Sequence, residues 1–579
     1  MFSKYYQSEL TYLRELGREF AAQNPGLAGP FAERGADPDV ERLLEGFAFL
    51  TARIRERIDD AVPEIVEGIT ELLLPHYLRS IPSTAVVQFS PHATALRGRH
   101  TVTAGTELGA TPIDGTSCIF RTVGDLDLLP LSLTAAKLDQ AHENSPAILL
   151  KFRTTESGRM VVCDKRGFRL FLHGQLAMAS SLFLWFDQHL TEVNYIGSDG
   201  KVPLGQKTIR RTALDPRQAL LPWPEFAPIG TRLLQEYFTI PERMLFLDLV
   251  DLDRIPPEGP TEFEIEFRFQ RPEKLPERLE RDQFRLHCTP VINLFDITAD
   301  PFQRDRRQHE YLLRAAGLNP LHMSIYSVNS VTGLRAARKG RREYKPFFDF
   351  GHARTGSQDA YFSTRRVRSP IDGGLDTYLS VMTPRDVSPE IDEETFSVEL
   401  TCTNRLLPAE LRVGDISVPT PRSPTIAKFS NLTKVTKPVR PPLGAELHWR
   451  LIGHLSLNVR SLGDPKVLRS VLHLYNYYEA ADQQLGRANE LRANSVRSVD
   501  MRTARRLLDN SPVRGIHSTV ELEEANLAGP GDAILFGNVL DSFFADRVTI
   551  NSFHQLTIQL HPSGASWTFP PRNGTDPML

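Results

Sequence analysis

The sequence predicts a multidomain α+β protein, with a helical N-terminal region, β-rich domains and a mixed α/β C-terminal region. Its 579 residues are enough for roughly three to five domains at about 100–200 residues each. Apolar side chains recur at helical spacing up to about residue 80, and from Ile81 onward they alternate with polar ones. We therefore expect four regions, at residues 1–80, 81–298, 299–409 and 410–579.

The N-terminal region contains three predicted amphipathic helices. In the first, Tyr6, Leu10 and Leu13 share one face because they lie three or four residues apart. The second has Asp37 as N-cap and Pro38 at its first position. Its apolar stripe comprises Val40, Leu43, Leu44, Phe47, Leu50, Ile54 and Ile58. A third is predicted over 63–75. Together these helices can cover a small core or pack on a partner.

The middle of the chain is predicted to be β-rich. The clearest strand is 262–269, where four apolar residues alternate with four charged ones, as in a strand with one buried face. A similar strand is predicted around 396–402, and the segment 299–375 between them is interpreted as loops with a basic cluster. After about residue 410 we expect a strand at 447–459, helices with breaks over 466–508, and a final helix–strand pair.

The final helix is the most informative segment. Asp532 is expected to cap it, and it is predicted to run from Ala533 to Phe544. Its two apolar rows are Leu535, Val539 and Phe543, and Phe536, Leu540 and Phe544, and its narrow polar strip consists of Asn538, Asp541 and Ser542. A helix that is apolar over most of its girth must be buried on nearly all sides. It is therefore either a central core helix or a helix that docks in a groove on another chain.

Charge and composition exclude several classes of protein. The formal net charge is -3, which argues against a surface built as a whole for nucleic acid or anionic lipid. The N-terminus lacks the apolar region of a signal peptide, and no uncharged apolar run approaches the roughly 18 residues of a membrane span. The sequence thus predicts a cytoplasmic protein without direct membrane insertion.

Motifs for catalysis, metals or cofactors are missing from the sequence. The cysteines Cys118, Cys163, Cys288 and Cys402 are isolated and form no zinc-like cluster. The tripeptide Asp-Phe-Gly at 349–351 lacks the other kinase motifs. His448 and His454 share a strand face but have no third ligand nearby. We predict that the protein is not an enzyme and binds no cofactor or metal; an enzyme with a dispersed active site stays as the alternative.

A basic cluster at residues 335–345 has three interpretations. It comprises Arg335, Arg338, Lys339, Arg341, Arg342 and Lys345. A solvated loop is favoured, a contact with a protein partner comes second, and nucleic-acid binding comes last. Nucleic-acid binding would require interleaved aromatic residues or a known module, and Tyr344 and Phe347 are the only aromatic residues close by.

Seven blocks of sequence, in order, resemble the TssF (ImpG/VasA) family of type VI secretion baseplate subunits. They are YY at 5–6 with Leu10, Tyr12 and Leu13; EGFAFL at 45–50; LLLPHYL at 72–78; LLQEYF at 233–238 with Pro241-Glu242 and Phe246; TCTNR at 401–405 with Leu407-Pro408; HLSLN at 454–458; and LFGNVL at 535–540 through FFA at 543–545 to INSF at 550–553.

The resemblance implies a structural role and a fold similar to the wedge proteins of contractile phage baseplates. It implies that two copies of the chain associate with one TssG, and that this unit recruits TssE and TssK. Six such wedges would surround the VgrG spike hub and template the contractile sheath. The wedge would lie in the cytoplasm, docked through the baseplate to the inner-membrane complex, with no cofactor and no nucleic acid. The residues expected at a partner interface or in the core are Tyr6, Leu10, Leu13, Leu535, Phe536, Val539, Leu540, Phe543 and Phe544.

Overall fold

The computed structural model divides into two compact units, Met1–Leu78 with Pro442–Leu451, and Arg79–Pro441 with Ile452–Leu579. We call them the N-terminal unit and the main unit. The residues that the structure describes are 6–7, 9–16, 38–60, 70, 76, 78–92, 96–140, 145–155, 162, 164–197, 200–223, 228–256, 261–270, 279–305, 308, 310–335, 340–347, 360–369, 374–382, 394–441, 459–479, 481–508 and 511–574.

The N-terminal unit is helical where it is described. Residues 6–7 and 9–16 are helical, and α1 (Pro38–Asp60) begins at the predicted proline. The two segments are joined by Arg14, whose Nη2 donates to Glu41 Oε2 at 2.7 Å. One face of α1 buries Ala48 and Ala52. The predicted third helix at 63–75 lies outside the described residues except for residue 70, which is helical.

In its described residues the main unit contains five further α-helices and a large set of strands. The helices are α2 (Leu176–Leu184), α3 (Ile229–Thr239), α4 (Pro465–Leu474), α5 (Gln483–Asn494) and α6 (Pro530–Ala545). The strands are β1 (Thr84–Pro91), β2 (His100–Val102), β3 (Glu107–Gly109), β4 (Ile119–Thr122), β5 (Leu126–Leu128), β6 (Leu131–Asp139), β7 (Ala147–Thr154), β8 (Phe168–Leu172), β9 (Leu190–Gly197), β10 (Gly200–Pro203), β11 (Ile209–Arg211), β12 (Phe246–Leu249), β13 (Glu262–Phe269), β14 (Phe284–Leu286), β15 (Cys288–Ile292), β16 (Phe295–Thr298), β17 (Phe302–Gln303), β18 (Tyr311–Leu312), β19 (Ser324–Arg335), β20 (Gly340–Pro346), β21 (Ala360–Arg368), β22 (Leu375–Met382), β23 (Glu394–Thr403), β24 (Ala427–Asn431), β25 (Val496–Leu508), β26 (Ser511–Glu523), β27 (Phe553–His561), β28 (Ser566–Thr568) and β29 (Arg572–Asn573).

Within the described part of the chain these strands form six sheets. Their orders are β24-β1-β15-β4-β3; β10-β9-β13-β7-β6; β11-β12-β8-β14; β16-β23-β19-β20-β21-β22-β18 with β17 on β23; β2-β5; and β25-β26-β27-β28 with β29 on β27. The first sheet joins distant parts of the sequence, because β1 pairs with β15 on one side and with β24 on the other. This pairing connects the regions 81–298 and 410–579 in one sheet. The fold is therefore α+β, as predicted.

The strands predicted from alternation are present. In β13 the apolar members of the alternation are all buried, and the strand lies between β7 and β9 in a five-stranded sheet. Phe263 stacks on Phe152 of β7, with ring centroids 5.5 Å apart. On the opposite face of the strand, the Glu262 carboxylate forms ion pairs with Lys151 and Arg153, at 2.8 Å and 2.6 Å. β23 likewise buries its four alternating apolar residues.

Two predictions of local structure are wrong. Helices were expected through 508, but only α4 and α5 form, and 496–508 is the long strand β25 because it pairs along its length with β26. Tertiary pairing thus overrides a local pattern that could also be helical. The segment 299–375 is not mainly loops, because it contains β17 to β21, which all belong to the sheet that includes β23. The strand predicted at 447–459 and the His448/His454 pair lie outside the described residues, apart from Val459 in a turn.

Burial favours the neutral forms of several cysteine and histidine side chains in the main unit. Cys118, Cys288 and Cys402 are buried free thiols, and burial raises the pKa of Cys118 and of Cys402 to about 12. His287 Nε2 accepts the N–H of Leu129 at 3.2 Å, and burial lowers the pKa of His287 to about 4. Burial lowers the pKa of His554 to about 3, with His517 and Arg572 adding to the effect.

These two histidines should make the protein less stable in mild acid. Their pKa values in the folded protein lie below the ordinary 6.5. Between the folded pKa and 6.5, the unfolded chain therefore binds more protons than the folded one. The stability contributed by each neutral histidine is fully present above about pH 6.5 and is lost as the pH falls toward its folded pKa. Since one pH unit is worth about 1.36 kcal/mol per proton, we expect a loss of about 2 kcal/mol per histidine between pH 7 and pH 5.

Urea unfolding at both pH values would measure this loss. His287→Gln and His554→Gln should each reduce the difference between pH 7 and pH 5, even where the variant is less stable at both. A pH dependence unchanged in both variants would contradict the assignment.

Candidate partner interface

Helix α6 forms the centre of the main unit. It begins at Pro530, after Gly529, whose φ of 109° favours glycine. The sequence-based expectation that Asp532 caps the helix is wrong, because Asp532 lies inside the first turn and is buried. Its carboxylate accepts the N–H of Ala528 at 3.1 Å, which ties the first turn to the preceding segment.

Two glycines bring α6 into backbone contact with its neighbours. A Cβ at Gly230 of α3 would lie 2.4 Å from the Phe543 backbone. A Cβ at Gly531 would lie 2.2 Å from the backbone of Ser180 in α2. Atoms cannot approach this closely without a backbone shift, so any side chain at either position would separate the helices. The three helices therefore pack at the distance that only glycine permits.

A buried polar group connects α6 to α3 and α5. Tyr237 Oη donates to Asp532 Oδ1 at 2.7 Å, and Arg492 Nε donates to Asp532 Oδ2 at 3.3 Å. The Arg492 guanidinium also lies over the Tyr237 ring, 5.2 Å from its centroid, and the same ring stacks on Phe536. Burial, together with the Asp532 carboxylate, raises the pKa of Tyr237 well above its usual value. We call Tyr237, Asp532 and Arg492 the polar triad.

The polar strip of α6 is buried and hydrogen-bonded. Asn538 Nδ2 donates to the carbonyl of Ile534 at 2.9 Å, and Ser542 Oγ donates to the carbonyl of Asn538 at 3.2 Å. Asp541 pairs with Arg572. Burial raises the pKa of Asp541, and Arg572 opposes that rise. The strip thus faces other parts of the same chain.

The predicted site residues fall into two groups in the structure. The six on α6 are all 0–1% exposed: Leu535, Phe536, Val539, Leu540, Phe543 and Phe544. They lie in the core of this chain, against α2, α3 and β27. In the N-terminal unit Leu10 is buried, whereas Tyr6 and Leu13 are partly exposed. The first group therefore belongs to the core of the main unit, and the second to the N-terminal unit.

Three strongly exposed apolar side chains of the N-terminal unit lie on α1. Leu43, Phe47 and Leu50 are 74%, 58% and 62% exposed. Their spacing of four and three residues places them on one face of the helix, which we call the α1 stripe. The apolar periodicity of the sequence revealed these residues, but it did not show that this face would be open while Ala48 and Ala52 are buried.

The described members of the basic cluster lie on strands rather than in a loop. Arg341, Arg342 and Lys345 lie on β20, and residues 336–339 are outside the described part of the chain. Tyr344 is buried and its hydroxyl donates to Glu394 at 2.9 Å. Because this ring lies inside the sheet's core, it is not placed to stack on a nucleic-acid base.

One cavity of about 480 Å³ lies beside β1, β6 and β14. Its apolar wall includes Leu131 and Phe284, and Asp282 is the acidic residue that lines it. The Asp282 carboxylate lies 3.4 Å from both Arg281 and Arg285. Among the described residues, no group of three or more His, Cys, Asp or Glu could hold a metal ion.

Comparisons with known proteins cover the whole chain. A family model described as "Type VI secretion system, TssF" matches residues 1–576. The chain is 29% identical to the type VI secretion system component TssF1 of Pseudomonas aeruginosa strain PAO1, over all of this chain and 99% of that protein. Of the helices that the structure describes, none combines the length and the apolar character needed to span a membrane.

Two solved structures are also similar. One is a chain of the type VI secretion TssK-TssF-TssG baseplate subcomplex, determined by cryo-electron microscopy, with a TM-score of 0.78 and 30% identity over 93% of this chain and 99% of that one. The other belongs to the baseplate complex of a type VI secretion system, with a TM-score of 0.62 and 26% identity over the full length of both chains.

Removing the carboxylate of the polar triad should destabilise the main unit strongly. Asp532→Ala leaves the buried Arg492 without its ion-pair partner, which should cost about 3–5 kcal/mol. Tyr237→Phe keeps the ring stack and the ion pair and loses one hydrogen bond, which should cost about 2 kcal/mol or less. Chemical unfolding monitored by tryptophan fluorescence compares the two variants. Equal losses would show that the ion pair is not the dominant part of the triad.

Proposed function

Because the chain belongs to the TssF family of type VI secretion system proteins, we propose that it builds a baseplate wedge through contacts made by its N-terminal unit. The chain is a structural component of the type VI secretion baseplate. Our proposal goes further and names its partners and the residues that contact them.

The proposed partners are TssG and TssK, which are present with TssF in the similar solved subcomplex. We further propose that two copies of the chain bind one TssG, that TssE joins this unit, and that the wedges surround a VgrG hub and template the sheath. In this arrangement the protein is cytoplasmic, is linked through the baseplate to the inner-membrane complex, and has no catalytic role. We keep four regions as our proposed domains: 1–80, 81–298, 299–409 and 410–579.

The observation that carries the proposal is the exposed α1 stripe. An apolar helix face that is open in a single chain is a typical partner site, because association removes it from water. Each of its three large side chains would contribute about 1.5–3 kcal/mol if fully buried. The buried residues of α6 have a different role: they hold the main unit together and do not contact a partner themselves. Tyr6 and Leu13, which are partly exposed, are proposed to extend the contact surface.

Placing charges on the α1 stripe should prevent wedge assembly without unfolding the subunit. We expect Leu43→Asp with Phe47→Asp to reduce the TssG retained by the affinity-tagged chain at least tenfold, because two desolvated carboxylates would oppose the contact. The measurement is co-expression with TssG and TssK from the same bacterium, followed by affinity purification and size-exclusion chromatography.

The matched control is Glu45→Lys, which changes the charge of an exposed residue on another face of the same helix. It should assemble like the unmodified chain. Circular dichroism would establish that all variants are folded. Wild-type recovery of TssG with the double aspartate variant would remove the α1 stripe from the interface.

A further inference from the structure

Strands β25 and β26 form a hairpin that extends beyond the rest of its sheet. Each strand has 13 residues. β27 pairs with β26 only from Gly515 to Glu523. The far end, Arg505–Leu508 of β25 and Ser511–Arg514 of β26, therefore has two strands among the residues that the structure describes, and we call it the hairpin arm. A two-stranded ribbon is marginally stable by itself in water.

The hairpin arm carries three exposed arginines, Arg505, Arg506 and Arg514. Arg505 lies directly opposite Arg514 across the two strands, an arrangement in which like charges destabilise the pair. Arg506 is the next residue along β25. All three are exposed, and none forms an ion pair with any residue that the structure describes. Arg502, closer to the core, differs because its Nε lies 2.8 Å from Asp500 Oδ2.

An apolar residue accompanies these charges. Leu507 is 70% exposed and lies opposite Pro512. Since side chains alternate along a strand, Leu507 shares a face with Arg505 and with Met501. Met501 packs against the main hydrophobic core. One continuous face of the hairpin therefore starts in the core and ends in an exposed patch of guanidinium groups and a leucine.

The chemistry of this patch fits a protein surface rich in carboxylates. Guanidinium groups bind carboxylates through two parallel hydrogen bonds, and an apolar neighbour shields such pairs from water. Single-stranded nucleic acid would favour aromatic side chains on which bases stack, and the described residues of the hairpin arm include none. The whole chain has a formal net charge of -3, so the positive charge is local.

We propose that the hairpin arm docks on an acidic surface of a neighbouring baseplate protein, through Arg505 and Arg514 on the face of Leu507 and through Arg506 on the opposite face of the ribbon. The inference rests on the proposed function, because it takes the partner from the same assembly. It adds a second contact, electrostatic in character and located on the main unit. The N-terminal unit contributes the apolar α1 stripe.

A simpler explanation of the charges is protection of an open strand edge. β25 is the end strand of its sheet, and charged side chains on such edges prevent aggregation. Glutamate would protect an edge as well as arginine does, whereas it would repel an acidic partner. Charge reversal therefore separates the two explanations.

The first experiment uses the full chain co-expressed with TssG, TssK and TssE from the same bacterium. The triple variant Arg505→Glu, Arg506→Glu and Arg514→Glu should weaken retention of at least one of these proteins about tenfold at low salt. The unmodified chain should lose that partner as salt rises, because exposed ion pairs are screened. The matched control, Lys207→Glu, Lys428→Glu and Lys434→Glu, reverses three exposed charges elsewhere in the main unit and should behave like the unmodified chain.

A second experiment identifies the partner group. Arg505→Lys, Arg506→Lys and Arg514→Lys keep the charge and add amines that a carbodiimide joins to carboxylates. Mass spectrometry of the purified complex should find amide links from residues 505, 506 or 514 to Asp or Glu of another baseplate protein. Links confined to this chain would overturn the proposal.

The remaining outcomes are also decisive. If the Glu variant retains TssG, TssK and TssE with unchanged affinity and salt dependence, the hairpin arm is not a docking element. If the unmodified chain binds a double-stranded DNA probe and the Glu variant loses only that binding, the partner is nucleic acid and the proposal is wrong. If the unmodified chain retains none of the three proteins, the proposed function itself fails.

Discussion

The close packing of α6 against α2 and α3 is the constraint on which the main unit depends. Gly230 and Gly531 allow backbones to touch, and the apolar rows of α6 then fill the space between helices and sheet. On its other side α6 packs against β27, which pairs with β26. The position of the hairpin formed by β25 and β26 is therefore set by a helix that has almost no exposed surface.

The sequence predicted the class of fold and the character of individual elements better than their connections. Alternation in 262–269 and near-complete apolarity in 533–544 both correspond to buried elements of the predicted type. Pairing partners were not predictable, because the residues that pair with β25 lie in another segment whose register depends on the whole sheet. The same reason explains why 496–508 was predicted to be helical.

The candidate contact surfaces show a similar limit. The periodicity of α1 identified an apolar stripe, but only packing decides which face of the helix is covered: Ala48 and Ala52, outside that stripe, are buried while Leu43 is open. For α6 the sequence left core and interface as alternatives, since both require burial. The role of Asp532 was missed because its partners, Tyr237 and Arg492, come from helices distant in sequence. Polar groups that meet only in the folded state leave no local pattern.

The long separation between α3 and α6 has a consequence for synthesis of the protein. The residues joined by the Tyr237–Asp532 hydrogen bond are 295 positions apart. At about 5–20 residues per second, a ribosome needs roughly 15–60 s to add that length. Throughout this time the apolar faces of α2 and α3 have no α6 to cover them. The nascent chain is thus an expected client of chaperones, and a translation product that stops before residue 530 would leave the apolar faces of α2 and α3 that pack on α6 uncovered.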